Sequence, residues 1–424
     1  MDFRLRTHGN AQNTQDDSGL SNFLPYGRQS ISGQDISSVL ECLRSPILTV
    51  GPRIEAFEKA FAERVGAKYA VAVCNATAAL HLAMLVAGIG PKDRVVTSPI
   101  TFLASANCAA FVGAIPDFAD VDPVSLTLCP KVLEANWKPD TKAVVVVDYA
   151  GQSADMPAIA QVARKQGAIV IEDACHAVGG SFEHQGEIHK IGGHPWADMT
   201  TFSFHPVKTM TTGEGGMLVT DNEDYAQKAR LLRSHGIQRN SSSFESADAC
   251  PITAEKGPWF YEMKDLGYNF RLTEIQAALG LSQLAQLDGF VQRRREIVSA
   301  YNEAFKNISW IQTPSLRNPA DQNHTAWHLY SPRIDFKALG KTRTQVMNEL
   351  REQGVGTQVL YIPVHLQPWY RKTFGYAGGK CPVAEQAYAG LLSLPLFPAM
   401  THSNVDQVIR AVKALDQKPI PPCA

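Results

Sequence analysis

Runs of aliphatic residues recur along the chain, separated by stretches with helical apolar spacing. The clearest case is residues 143–148, Ala-Val-Val-Val-Val-Asp, then an amphipathic stretch over 154–165, then a second run over 168–173. Strand, helix and strand in that order read as a βαβ unit. Aliphatic runs without polar alternation imply a mostly parallel sheet covered on both faces. Residues 69–74 read as another buried strand, passing through Asn75-Ala76-Thr77 into a helix over 78–85, and 217–220 as a further strand. Ahead of these, 31–43 and 53–65 have amphipathic helical spacing, and a long helix is expected from near Leu272 toward Asn302. Residues 1–24 are polar and poor in large apolar side chains, which predicts a disordered tail. The expected organisation is a large α/β domain over 25–289 and a smaller α+β domain over 290–424. The Ser-, Asn- and Asp-rich stretch 238–256 is expected to be a surface loop, and 418–422 an extended tail.

Three segments carry candidate chemistry. Lys208 follows Thr201-Phe202-Ser203-Phe204-His205-Pro206-Val207 and precedes a Gly-rich turn and an apolar strand. A lysine there can be desolvated, which lowers its pKa and makes its amine a nucleophile able to hold a carbonyl cofactor as a Schiff base. An ordinary lysine in a Gly-rich turn is the competing reading. Asp173 ends the strand 168–173, where ligands of open α/β sheets bind. A carboxylate at that place could keep the pyridine nitrogen of pyridoxal phosphate protonated, so that the ring acts as an electron sink; a helix N-cap is the alternative. Small residues at Asn75-Ala76-Thr77 would leave helix N–H groups free for a phosphate. No Gly-x-Gly-x-x-Gly and no Gly-Lys-Ser/Thr phosphate loop follows a strand, which argues against dinucleotide or nucleoside triphosphate binding.

Together with Leu48-Thr49-Val50-Gly51-Pro52, Ser98-Pro99-Ile100-Thr101-Phe102, Arg233-Ser234-His235-Gly236, Gly267-Tyr268-Asn269-Phe270-Arg271 and Tyr361-Ile362-Pro363-Val364-His365, these segments resemble the DegT/DnrJ/EryC1/StrS family of sugar aminotransferases. The resemblance implies a fold-type I pyridoxal-phosphate enzyme of the aspartate aminotransferase kind. Pro25-Tyr26-Gly27-Arg28-Gln29 and Trp327-His328-Leu329-Tyr330 are similar to the branch that aminates UDP-2-acetamido-2,6-dideoxy-4-ketohexose on the pseudaminic acid pathway. On this resemblance Lys208 and Asp173 are catalytic and Phe102 stacks on the cofactor ring. His176 sits beside its phenolic oxygen, and Ala76, Thr77 and Ser203 hold its phosphate. Asn269 reaches the phosphate of a neighbouring subunit's cofactor, so a homodimer would share its sites. Tyr26, His235 and His365 are candidate substrate contacts. The substrates implied are a nucleotide-activated 4-keto-6-deoxyhexose and L-glutamate, which leaves as 2-oxoglutarate. Many family members carry glycine at the position of Ala76 and glutamine at that of His176; the alanine N–H and the histidine ring still supply donors. Alternatives are a GDP-, dTDP- or other UDP-linked keto sugar aminated at C3 or C4, or a regulatory protein that binds the cofactor without turnover.

Bulk properties narrow this little. The chain of 424 residues carries 40 basic and 41 acidic side chains, a formal charge of −1, which leaves no electrostatic footprint for nucleic acid or an anionic membrane. No apolar run approaches the roughly 18 residues of a membrane span, and a cytoplasmic enzyme is expected. Eight cysteines without paired spacing predict reduced thiols and no zinc site. His184, His189 and His194 recur in a Gly-rich, polar stretch that is expected to be surface loop.

Overall fold

The computed structural model describes residues 23–245 and 257–416. Its strands of four residues or more are β1 (Tyr69–Val73), β2 (Arg94–Thr97), β3 (Ile115–Phe118), β4 (Thr141–Val147), β5 (Ile169–Asp173), β6 (Ser181–His184), β7 (Glu187–Lys190), β8 (Met199–Ser203) and β9 (Gly216–Thr220). All but β6 and β7 join one sheet in the order β1-β9-β8-β5-β4-β2-β3. Pairing is parallel from β8 through β5, β4 and β2 to β3. Only β9 is antiparallel to its neighbours, so the remaining strands of this sheet point their carboxyl ends at one edge.

The helices are α1 (Gly33–Leu43), α2 (Pro52–Val65), α3 (Ala76–Val86), α4 (Ala104–Phe111), α5 (Pro130–Ala135), α6 (Met156–Lys165), α7 (Glu223–Arg233), α8 (Glu274–Ala285), α9 (Leu287–Phe305), α10 (Arg343–Glu352), α11 (Pro368–Phe374), α12 (Pro382–Gly390) and α13 (His402–Ala414). Successive strand side chains face opposite ways, and the sheet sorts its aliphatics accordingly. Val144 and Val146 of β4 pack with Phe57, Phe61, Ile159 and Ala277 on one face. Ala143 and Val145 pack with Leu80, Met84 and Cys108 on the other. Both faces are covered, which is why the strands read as unbroken aliphatic runs.

Three expectations need correction. Leu24, placed in the disordered tail, is buried in a second core with Tyr301, Tyr330 and Leu350; its N–H donates to the Gly354 carbonyl at 2.8 Å and its carbonyl accepts from the Gly356 N–H at 2.7 Å. Residues 1–22, most of 238–256, and the tail 418–422 lie outside the described residues. The long helix expected from Leu272 is two helices. Gln286 adopts φ −98° and ψ −2° between α8 and α9, and its side-chain amide donates to Asp35 Oδ1 at 3.1 Å, so α1 holds the break. The histidine-rich stretch is a β-hairpin, turned by Gln185 and Gly186 at positive φ, and His194 after it is buried. Residues 297–415 build that second core, and part of the same stretch also packs on the large sheet. Val364, Tyr370, Cys381, Ala384 and Leu391 pack with Ile100, Phe118 and Tyr149 beside the sheet. Asp120 accepts from the N–H groups of Val383 and Ala384 at 2.8 and 3.0 Å, capping α12 from the far end of the sequence.

Candidate active site

The carboxyl ends of β1, β2, β4, β5 and β8 border one cleft of about 450 Å³, as expected for ligand binding to a parallel sheet. Lys208, in the turn between β8 and β9, is half-buried in its wall. Burial draws its ammonium below the ordinary lysine range; Cys175 and Asp173 oppose this, and Arg294 reinforces it.

Asp173 ends β5 near the middle of the sheet and is 5% exposed. Its Oδ2 accepts from the Ser105 hydroxyl at 2.6 Å, and that hydroxyl is held in turn by Thr101 Oγ1 at 2.6 Å. Its Oδ1 accepts from the Cys175 N–H at 3.2 Å. A carboxylate held at both oxygens cannot swing, so its remaining lone pairs are presented in a fixed direction.

On the opposite wall α3 begins. The Asn75 side chain caps it by accepting from the Ala78 N–H at 2.9 Å. Helix geometry leaves the N–H groups of Ala76 and Thr77 without intrahelical partners, at the positive end of the dipole. A Cβ at Gly216 of β9 would stand 2.6 Å from the Ala76 nitrogen and from the Asn75 carbonyl carbon, so only glycine lets this turn lie against the sheet. Ser203, ending β8, borders the same corner.

Phe102 is 57% exposed at the mouth, its ring centroid 6.2 Å from that of Tyr361. His176 Nε2 lies 3.1 Å from the Tyr361 hydroxyl, and its ring centroid is 4.4 Å from that of His328. The Nδ1 atoms of both histidines are buried without a hydrogen-bond partner. Burial, then the charge of Lys208, holds both imidazoles well below the ordinary histidine range, so they are neutral. His328 itself is anchored from beneath. The fully buried Arg294 donates to the carbonyls of His328 and Leu396 at 3.2 and 2.9 Å, and burial pushes its pKa down to about 9.

Tyr26, Ala76, Thr77, Phe102, Asp173, His176, Ser203 and Lys208 therefore meet in one cleft. Two expected residues, His365 and His235, do not, and Asn269, expected at a neighbouring subunit's site, also lies outside it. His365 is fully buried, its Nε2 2.9 Å from Glu385 Oε1 and its ring 5.9 Å from Phe118, so it packs the core and does not reach the cleft. His235 is exposed at positive φ in the turn after α7, outside the cleft lining. Asn269 is exposed and bridges Ser234 through its backbone, also outside it. Sequence reasoning missed Ser105, Thr101 and Tyr361. Tyr361 stood in a quoted motif, whereas nothing in the alanine-rich helix α4 marks Ser105.

The profile of the DegT/DnrJ/EryC1/StrS aminotransferase family matches residues 29–413. The chain belongs to this family. It is 44% identical over 394 residues, 93% of this chain and 97% of the relative, to the spore coat polysaccharide biosynthesis protein SpsC of Bacillus subtilis (strain 168). Among solved structures it is similar to Helicobacter pylori PseC, an aminotransferase involved in the biosynthesis of pseudoaminic acid, with TM-score 0.82 and 30% identity over 93% of this chain and 99% of that one. It is equally similar in fold to the PLP form of the putative sugar aminotransferase Spr1654 from Streptococcus pneumoniae, with TM-score 0.82 and 26% identity over 93% and 98% of the two chains. The protein is thus a pyridoxal-phosphate-dependent sugar aminotransferase with the α/β fold of that class.

The residues present fit that cofactor. Lys208 offers a desolvated amine, Asp173 an immobilised carboxylate, the start of α3 an anion site that Gly216 keeps open, and His176 an unpartnered buried nitrogen beside the cleft. Borohydride reduction of the loaded protein, followed by peptide mass spectrometry, should find the pyridoxyl group on Lys208. A label on another lysine would refute this assignment.

Proposed function

We propose that the enzyme aminates C4 of UDP-2-acetamido-2,6-dideoxy-β-L-arabino-hex-4-ulose, taking nitrogen from L-glutamate and releasing 2-oxoglutarate, and so supplies a 4-amino sugar to pseudaminic acid and cell-surface polysaccharide. The observation that carries this reading is the likeness to Helicobacter pylori PseC along nearly the whole of both chains. Bound pyridoxal phosphate would supply an electron sink for the bond electrons released when Cα loses its proton. This chain's residues do the rest. The Lys208 amine, its proton affinity lowered by burial, would take the proton from Cα of the donor and return it at the cofactor C4′. The Asp173 carboxylate would pair with the ring nitrogen, Phe102 would cover the ring, and neutral His176 would lie beside the phenolic oxygen. Ala76, Thr77 and Ser203 would hold the phosphate, and Tyr26, whose phenol burial pushes up, lines the same cleft and would border the sugar. The described cysteines are free thiols, in keeping with a cytoplasmic setting. Among the described residues no helix is long and apolar enough to cross a membrane.

Incubation with glutamate and a panel of UDP-, GDP- and dTDP-linked 3- and 4-keto sugars, read by mass spectrometry and NMR of the products, tests the substrate. The account expects the UDP-linked 4-keto sugar to be aminated at C4 with the highest kcat/KM. A preference for a GDP- or dTDP-linked sugar, or amination at C3, would replace this assignment with another branch of the family. No product from any sugar would favour a regulatory role.

We further propose a homodimer in which Asn269 serves the neighbouring subunit's phosphate. Its exposure outside its own cleft is what supports this. Mixing Asn269→Ala with Lys208→Ala chains should then regenerate about one intact site per heterodimer and restore activity that neither parent has in full. No recovery after confirmed subunit exchange, with an impaired Asn269→Ala parent, would place both residues at one chain's site.

A further inference from the structure

Behind the cleft, β4 and β5 bring three carboxyl groups together. Asp173 faces the cleft, and its strand neighbour Glu172 points to the opposite face of the sheet, where it is fully buried. Asp148, one residue past β4, is fully buried as well, and its N–H donates to the Asp173 carbonyl at 3.1 Å. Three ionised acids so arranged would repel strongly in a low-dielectric interior.

The hydrogen bonds show where the charge resides. Glu172 Oε1 lies 2.9 Å from His194 Nε2, and Oε2 accepts from the Thr200 hydroxyl at 2.9 Å. His194 Nδ1 accepts from the Trp196 N–H at 3.3 Å. An acceptor nitrogen carries no proton, so the imidazole proton sits on Nε2 and is donated to Glu172. Glu172 thus faces two donors and suits the ionised form. Asp148 has one donor, the Ala154 N–H at 3.0 Å on Oδ1, and its Oδ2 is buried without one. A neutral carboxylic acid suits Asp148. The electrostatics agree: burial, then the Glu172 charge, raises Asp148 well above the carboxylate range, while His194 and Thr200 outweigh burial and lower Glu172.

We propose that Glu172, kept ionised by His194 and Thr200, is a positioning residue for Asp173: its buried charge stands behind Asp173 in the same strand and strengthens the hold of that carboxylate on the ring-nitrogen proton of the cofactor. Asp148, by keeping its own proton, leaves the negative charge of this pair on Glu172. The inference rests on the assignment of Asp173 to the ring nitrogen, and the experiment separates the two.

The holoenzyme is loaded with pyridoxal phosphate carrying nitrogen-15 in the ring, and the ring-nitrogen signal is compared among wild type and the Glu172→Gln, His194→Leu, His194→Gln, Thr200→Val and Asp173→Asn variants, with thermal melts as a check on folding. Glu172→Gln and His194→Leu should move the signal downfield, toward the unprotonated ring, as a several-fold loss of the protonated fraction. His194→Gln, whose amide can still donate to Glu172, should stay near wild type, and Thr200→Val should fall between. A merely structural role would alter melting without this ordering. A wild-type signal in Glu172→Gln, with a shifted signal in Asp173→Asn, overturns the proposal and leaves the Asp173 assignment standing. An unshifted signal in Asp173→Asn overturns both. Should Glu172→Gln fail to fold, the His194→Leu and His194→Gln pair decides: equal signals overturn the proposal.

Discussion

A lysine amine partly withdrawn from water is the constraint around which this cleft is arranged. Lys208 leaves β8 into a cleft whose walls are mostly protein, and burial weakens its hold on a proton. Burial of that kind is tolerable only where it is partly balanced. Asp173 and Cys175 draw toward the charged form, while Arg294, itself pushed down to about 9 by burial, draws away. A lowered proton affinity of this kind suits the role proposed for Lys208, which is to accept and return a proton.

The sheet makes this possible. Parallel strands deliver their carboxyl ends to one edge, so residues far apart in sequence, from Asn75 to Tyr361, border a single cleft. The antiparallel strand β9 contributes by what it lacks: Gly216 lets the start of α3 lie against it. The C-terminal part closes the arrangement. Its core residues Tyr370, Cys381 and Leu391 pack against Phe118 and Tyr149, while Tyr149 donates to the Leu360 carbonyl at 2.6 Å beside the cleft. The segment carrying Tyr361 is thereby fixed from both ends.

How much of this was legible in the sequence follows from the range of each interaction. The βαβ pattern, Lys208, Asp173 and the turn at Ala76 and Thr77 were readable because strand ends and helix starts are local features. The break at Gln286 was not, since α8 and α9 both have good helical spacing and the break is held by Asp35, about 250 positions away. His365 looked like a site residue by its motif, yet its Glu385 partner and the Phe118 ring take it into the core. His194 looked like loop for the opposite reason. Its Gly- and His-rich surroundings hide a pairing with Glu172, 22 positions earlier, that only the packing of the hairpin reveals. Substrate contacts are the least legible, because they depend on which side chains from distant segments reach the mouth of the cleft.

The central claim is that a single desolvated amine moves the proton at Cα. It is tested most directly without the sugar, by following exchange of the Cα hydrogen of L-glutamate in deuterium oxide by proton NMR, with wild-type and Lys208→Ala proteins both loaded with cofactor. The account predicts steady loss of the Cα signal with wild type and a loss slowed by about a hundredfold to ten-thousandfold with Lys208→Ala, the range of a missing general base. Exchange at the wild-type rate in Lys208→Ala would contradict it.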